Sequence, residues 1–151
     1  VIPAEGAFAS PNPRASLLAG SFAFRAGPDG LAVARFGWAN PDTGETSNTR
    51  TVPGELLGWV LPVVNGAAAV RISRGVRYVR PGVGVTLMAG GDYWARFPAG
   101  ANIGDRVYAS LIDGAAISGE AADAEATPWY VVSNVEPGGL AIISTTSRVT
   151  S

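Results

Sequence analysis

Residues 83–114, VGVTLMAGGDYWARFPAGANIGDRVYASLIDG, decide the fold class. Val85 and Leu87 recur at a spacing of two, as do Tyr93, Ala95 and Phe97, and then Val107, Ala109 and Leu111. That spacing puts each set on one face of a strand, because successive side chains of an extended chain point to opposite sides. Ala89-Gly90-Gly91-Asp92, Pro98-Ala99-Gly100 and Asp113-Gly114 separate them with residues that tolerate tight or positive-φ turns. Three short strands follow, and Asp113-Gly114 leading into Ala115-Ala116-Ile117 predicts a hairpin after the third.

Working outward, the same grammar repeats. LAVARFGW at residues 31–38 reads as a strand with Leu31, Val33 and Arg35 on one face and Ala34, Phe36 and Trp38 on the other. LLGWVLPVV at 56–64 reads as an apolar strand that Pro62 confines to an edge or a bulge. WYVVS at 129–133 and LAIIS at 140–144 read as the closing pair, joined through Glu136-Pro137-Gly138-Gly139. The 20 Gly and 11 Pro interrupt nearly every segment before it reaches helical length, so the expectation is an all-β single domain of short antiparallel strands. Its length of 151 residues is enough to bury a core, and 47% apolar residues separate it from disordered chains.

The boundaries follow from composition. Residues 1–30 carry Pro3, Pro11, Pro13 and Pro28 and read as an extended N-terminal arm. The arm is either an edge strand of the domain's own sheet or a strap on a neighbouring subunit anchored by Phe8, Leu17, Phe22 and Phe24. Residues 31–145 form the domain, with a polar loop at about 40–55 that reads as solvated or projecting. Residues 146–151 are a polar tail. The start lacks a methionine and the blocks of a signal peptide, which reads as a trimmed chain. No apolar run approaches the roughly 18 residues of a membrane-spanning helix, so no membrane partner is expected.

What is missing narrows the chemistry. There is no Cys, no His and no Lys; all 11 cations are Arg. Disulfides, thiolate or imidazole metal sites, a Ser-His-Asp triad, a P-loop lysine and a Schiff-base lysine are therefore ruled out. Carboxylate pairs and carboxylate-bound hard cations are what remain. Asp92, Asp105 and Asp113 sit at turn positions, where the side chain caps nearby backbone. Glu120, Asp123 and Glu125 crowd the small, acidic stretch 118–127, which lacks the alternation and central Gly of a Ca²⁺ loop and reads as a solvated loop. Gly82-Val83-Gly84 is followed by strand, not helix, and carries no dinucleotide fingerprint. No enzyme activity, cofactor or metal is expected.

Arg71, Arg74, Arg77 and Arg80 recur every third residue. The β-branched Val70, Ile72, Val76 and Val79 argue for strand rather than helix, which divides the arginines between two faces. A net charge of −1 and a lone Tyr78 speak against nucleic acid. Guanidinium forks reaching carboxylates on a neighbouring protein are the better reading. Phe8, Arg14, Leu17, Phe22 and Phe24 of the arm, with these four arginines, are the interface candidates.

Three blocks in order carry a resemblance: ASPNPRASLLAG at 9–20; GGDYW at 90–94 with IGDRVYA at 103–109 and Asp113-Gly114; TPWYV at 127–131 with PGGLAIIS at 137–144. Together they resemble the structural cement, or head-decoration, proteins of tailed bacteriophages. The resemblance implies a β-barrel or jelly-roll-like sandwich that sits on the outside of the virion. It implies a homotrimer or homodimer, made in the host cytoplasm, that clamps neighbouring major capsid subunits of the expanded head. The alternative is a receptor- or carbohydrate-binding module of a fibre or adhesin, with Trp38, Trp59 and Trp94 as sugar platforms unless they are core. A carboxylate-dependent hydrolase is the third reading.

Overall fold

The structure is a computed structural model that describes residues 5–6, 9, 24–61 and 76–145, and the backbone alone at 16–17 and 70–73. The described residues contain no helix. Their strands are β1 (Ser16–Leu17), β2 (Arg25–Ala26), β3 (Leu31–Ala32), β4 (Phe36–Ala39), β5 (Glu45–Ser47), β6 (Leu56–Val60) and β7 (Val70–Ser73). They continue with β8 (Val76–Val79), β9 (Leu87–Gly90), β10 (Asp92–Phe97), β11 (Arg106–Ser110), β12 (Ala116–Ser118), β13 (Ala124–Val131) and β14 (Gly139–Ser144). Three sheets result, ordered β1-β9-β6-β4-β5-β2, β10-β14-β13-β11-β12 and β3-β8-β7. Pairing is antiparallel except between β2 and β5. Of the two expected architectures the sandwich is present; among the described residues no sheet closes into a barrel.

The six-stranded sheet is the middle layer. Phe36, Trp38, Trp59 and Met88 point from it into a core shared with the five-stranded sheet. Ala39, Val60 and Leu87 point the other way, into a second core with Leu31 and Val79 of the three-stranded sheet. Every residue of β4 is consequently buried, as expected for a sheet covered on both faces. β10 is an outer-layer strand, and its Tyr93, Ala95 and Phe97 are fully buried while Arg96 is exposed, as the spacing of two predicts.

Residues 83–114 do not form one meander. β9 belongs to the middle sheet and β10 to the five-stranded one, so Gly90-Gly91 is a crossover between layers. Gly91 has φ +124°, and a Cβ there would lie 2.7 Å from the Tyr93 hydroxyl. The predicted hairpin after β11 is present, with Ala109 opposite Ala116 and Tyr108 opposite Ile117.

Three expectations are corrected. The strand at 31–38 is two strands in different sheets, broken at Ala34, whose φ is +63°. Of the strand at 56–64, the described part, β6, lies inside its sheet and not at an edge, and ends at Val60; residues 62–64, Pro62 among them, lie outside the described residues. The acidic stretch 118–127 is a turn only at 119–123, since β12 ends at Ser118 and β13 begins at Ala124. Pro128 fits into β13 because the register slips between Arg106 and Tyr108, leaving a bulge where the Thr127 hydroxyl donates to the Val107 carbonyl. The polar segment after Asn40 folds back as β5, which pairs with β4 and buries Thr46. From there Asn48 binds Ala32 and Phe36 through its side chain.

Four aromatic rings meet in the main core. Phe36 sits edge-on to Trp59 at 5.0 Å and to Trp129 at 5.5 Å, and Tyr93 lies between the two indoles. Each buried indole N–H has an acceptor: Gly6 carbonyl for Trp59, Gly91 carbonyl for Trp129 and the Glu125 carboxylate for Trp38. The Tyr93 hydroxyl donates to the Gly90 carbonyl, and its pKa is pushed up to about 12, by burial first and by the Asp92 carboxylate second. An unfolded tyrosine titrates near about 10, so between these values the unfolded chain gives up a proton that the folded one keeps. Stability from Tyr93 is therefore complete below about pH 10 and falls as the pH rises toward about 12. Melting curves across that window should show a decline that Tyr93→Phe reduces; an identical decline in the variant would remove Tyr93 as its source.

Candidate functional site: an arginine-lined cleft

Of the interface candidates, Phe8, Arg14, Phe22 and Arg74 lie outside the described residues. Leu17 lies in β1, opposite Met88 of β9, and Arg71 lies in β7, opposite Tyr78 of β8. Phe24 is half-buried and packs on the second core. Arg77 and Arg80 are exposed, on β8 and just after it. Where the arm is described it lies on its own domain: Gly6 and Ala9 donate to the Trp94 and Asp92 carbonyls of β10, and β1 pairs with β9.

Arg77 is joined by two arginines that the sequence did not single out. Arg35 follows the bend at Ala34, and Arg96 is the exposed residue of β10. With Glu5, Val33, Ala34 and Val76 the three line a cleft of about 370 Å³. The positive φ at Ala34 turns the chain out of the three-stranded sheet and brings Arg35 to this rim. Three guanidinium groups against one carboxylate leave the cleft with two positive charges.

The partners show how much of that charge is committed. Arg96 bonds Glu5 through Nε at 3.1 Å and the Gly138 carbonyl through NH1. Arg35 reaches only the Asp113 carbonyl, at 3.4 Å. Arg77 makes no side-chain hydrogen bond or ion pair with any described residue. By contrast Arg25, Arg50 and Arg106 are tied to Glu45, Glu125 and the Thr127 carbonyl. Such a cleft can hold a carboxylate in a bidentate fork.

The other chemistry weighed from sequence is dispersed. Asp113 caps its turn by accepting from the Ala115 amide, and Asp105 accepts from the Ser118 hydroxyl. Glu125 is held by Arg50 and the Trp38 indole. Among the described residues no three Asp or Glu side chains converge as a cation site would need. Trp38 and Trp59 are at most 1% exposed, so neither is a platform for a sugar ring, while Trp94 of β10 is half-buried. A wider depression of about 660 Å³ between residues 99–102, 117–118 and 134–137 is lined by small side chains and one carboxylate, Glu136.

A comparison with protein families matches residues 2–145 to the XM1 gp53 minor capsid protein. The chain belongs to that family. It is accordingly a member of a bacteriophage capsid protein family, the class that the three sequence blocks resembled. Among solved structures, a chain in "The capsid of Myoviridae Phage XM1" has the same fold, with a TM-score of 0.63 and 20% identity. The match covers 99% of this chain and 94% of that one. No curated protein matches.

Proposed function

We propose that this protein is a non-catalytic component of a phage head that binds the outer surface of the shell, bridges neighbouring major capsid subunits and stabilises the expanded, genome-filled particle. Its membership of a minor capsid family over residues 2–145 carries this reading. A protein that spans a junction binds the assembled shell and not the separated subunits. It therefore stabilises assembly by mass action, by about 2.7 kcal/mol per site at a hundredfold excess over Kd. Repetition over many sites raises the total through effective concentration.

The surface is suited to gripping. Ile112 is 69% exposed and Val52 is 54% exposed, on loops tied together by hydrogen bonds from the Arg50 amide to the Leu111 carbonyl and from the Thr49 hydroxyl to the Ile112 carbonyl. Arg35 stands beside Ile112, and arginine is among the residue types that interfaces favour. The test is to add purified protein to expanded heads that lack it. Saturable co-sedimentation and a higher shell melting temperature are expected. Absence of binding, with binding to a glycan array instead, would replace this reading with the carbohydrate module.

A further inference from the structure

We infer that the Arg35–Arg77–Arg96 cleft takes the acidic 119–123 turn of a second copy of this chain, so that copies of the chain associate. The turn between β12 and β13 displays Glu120 and Asp123, both exposed, with only Gly119, Ala121 and Ala122 around them. Neither carboxylate bonds a described residue, whereas Glu125 just beyond is held by Arg50 and Trp38. Asp123 adopts φ +53° just before β13 begins. Two uncommitted negative charges on this exposed turn match two uncompensated positive charges in a cleft of about 370 Å³.

Cleft and turn are separate surfaces of one chain: Arg96 is on β10, and the turn leaves β12. A pairing between them closes either as a reciprocal two-fold contact or as a ring. Charge-assisted guanidinium–carboxylate pairs at such a contact weaken as salt screens them.

The inference is independent of the capsid reading, because association in solution needs no shell. Sedimentation analysis of the full chain at low and at high salt should show an oligomer that dissociates as salt rises. Arg77→Glu, at an exposed position, should fold with an unchanged circular dichroism spectrum and weaken association at least tenfold. Glu120→Arg combined with Arg77→Glu should recover much of it. A wild-type monomer at every concentration tested would overturn the inference, as would an oligomer indifferent to Arg77→Glu. A monomer whose co-sedimentation with heads is lost on Arg77→Glu would also overturn it, and would give the cleft to a carboxylate of the coat.

Discussion

Gly114→Ala is expected to lower stability by about 4 kcal/mol and the melting temperature by about 10 °C. The turn after β11 places Gly114 against the start of β4. Its carbonyl accepts from the Phe36 amide, and its φ is +72°. An added Cβ would lie 2.1 Å from the Phe36 carbonyl oxygen, which is backbone and cannot swing aside. That oxygen also accepts from the Asn48 side chain, which holds the 48–50 segment on the domain. Two costs combine. The left-handed backbone conformation disfavours alanine by about 1–2 kcal/mol, and displacing Phe36 opens the edge of the aromatic cluster. Thermal unfolding of the purified variant measures the sum. A melting temperature within about 2 °C of the parent would mean that β4 and this turn do not touch as described.

The same turn shows what could be read from the sequence and what could not. Asp113-Gly114 announced a hairpin because turn chemistry is local, and Asp113 caps it as turn chemistry requires. Tyr93, Ala95 and Phe97 announced their buried face because β10 lies in an outer layer with one side against the core. In the middle layer that logic loses its grip. Phe36, Gly37, Trp38 and Ala39 are all buried, and the two faces serve two different cores. The break at Ala34 was invisible because alanine carries no turn signal, and its φ of +63° is imposed by the sheets on either side.

The candidate site was half visible for a similar reason. Arg77 stood out through its spacing with Arg71, Arg74 and Arg80. Arg35, from the bend before β4, and Arg96, from β10, come to it through tertiary folding. The acidic stretch misled in the opposite direction. Glu125 reads as solvent-facing until Arg50 and Trp38, 75 and 87 residues away, are brought to it. Glu120 and Asp123 remain in solvent, so one short run of like charges divides into a structural member and two free ones. A run of charges in a sequence records composition, and the ladder of β13 decides which of its members are used inside.

Trp129→Ala is the second substitution with a large expected effect, a loss of about 4 kcal/mol, because it removes the ring that joins the two principal sheets. Trp129 stands on β13 and packs edge-on against Phe36 of the middle sheet, with Tyr93 of β10 at its side. It is 1% exposed, so its removal leaves a cavity that rigid strands on both sides fill poorly. Its indole nitrogen also donates to the Gly91 carbonyl at 2.9 Å, at the crossover where the chain leaves one sheet for the other. Trp129→Phe separates the two contributions: it restores most of the apolar volume and leaves that carbonyl without its donor, a cost of about 1–3 kcal/mol. Urea unfolding should give midpoints in the order parent, Phe variant, Ala variant, with similar slopes if the unfolded state is unchanged. The Phe variant matching the parent would show that the Gly91 carbonyl is satisfied by other means. The Ala variant falling within about 1 kcal/mol of the parent would show that the two sheets are held together elsewhere, and the layered packing described for the core would be wrong.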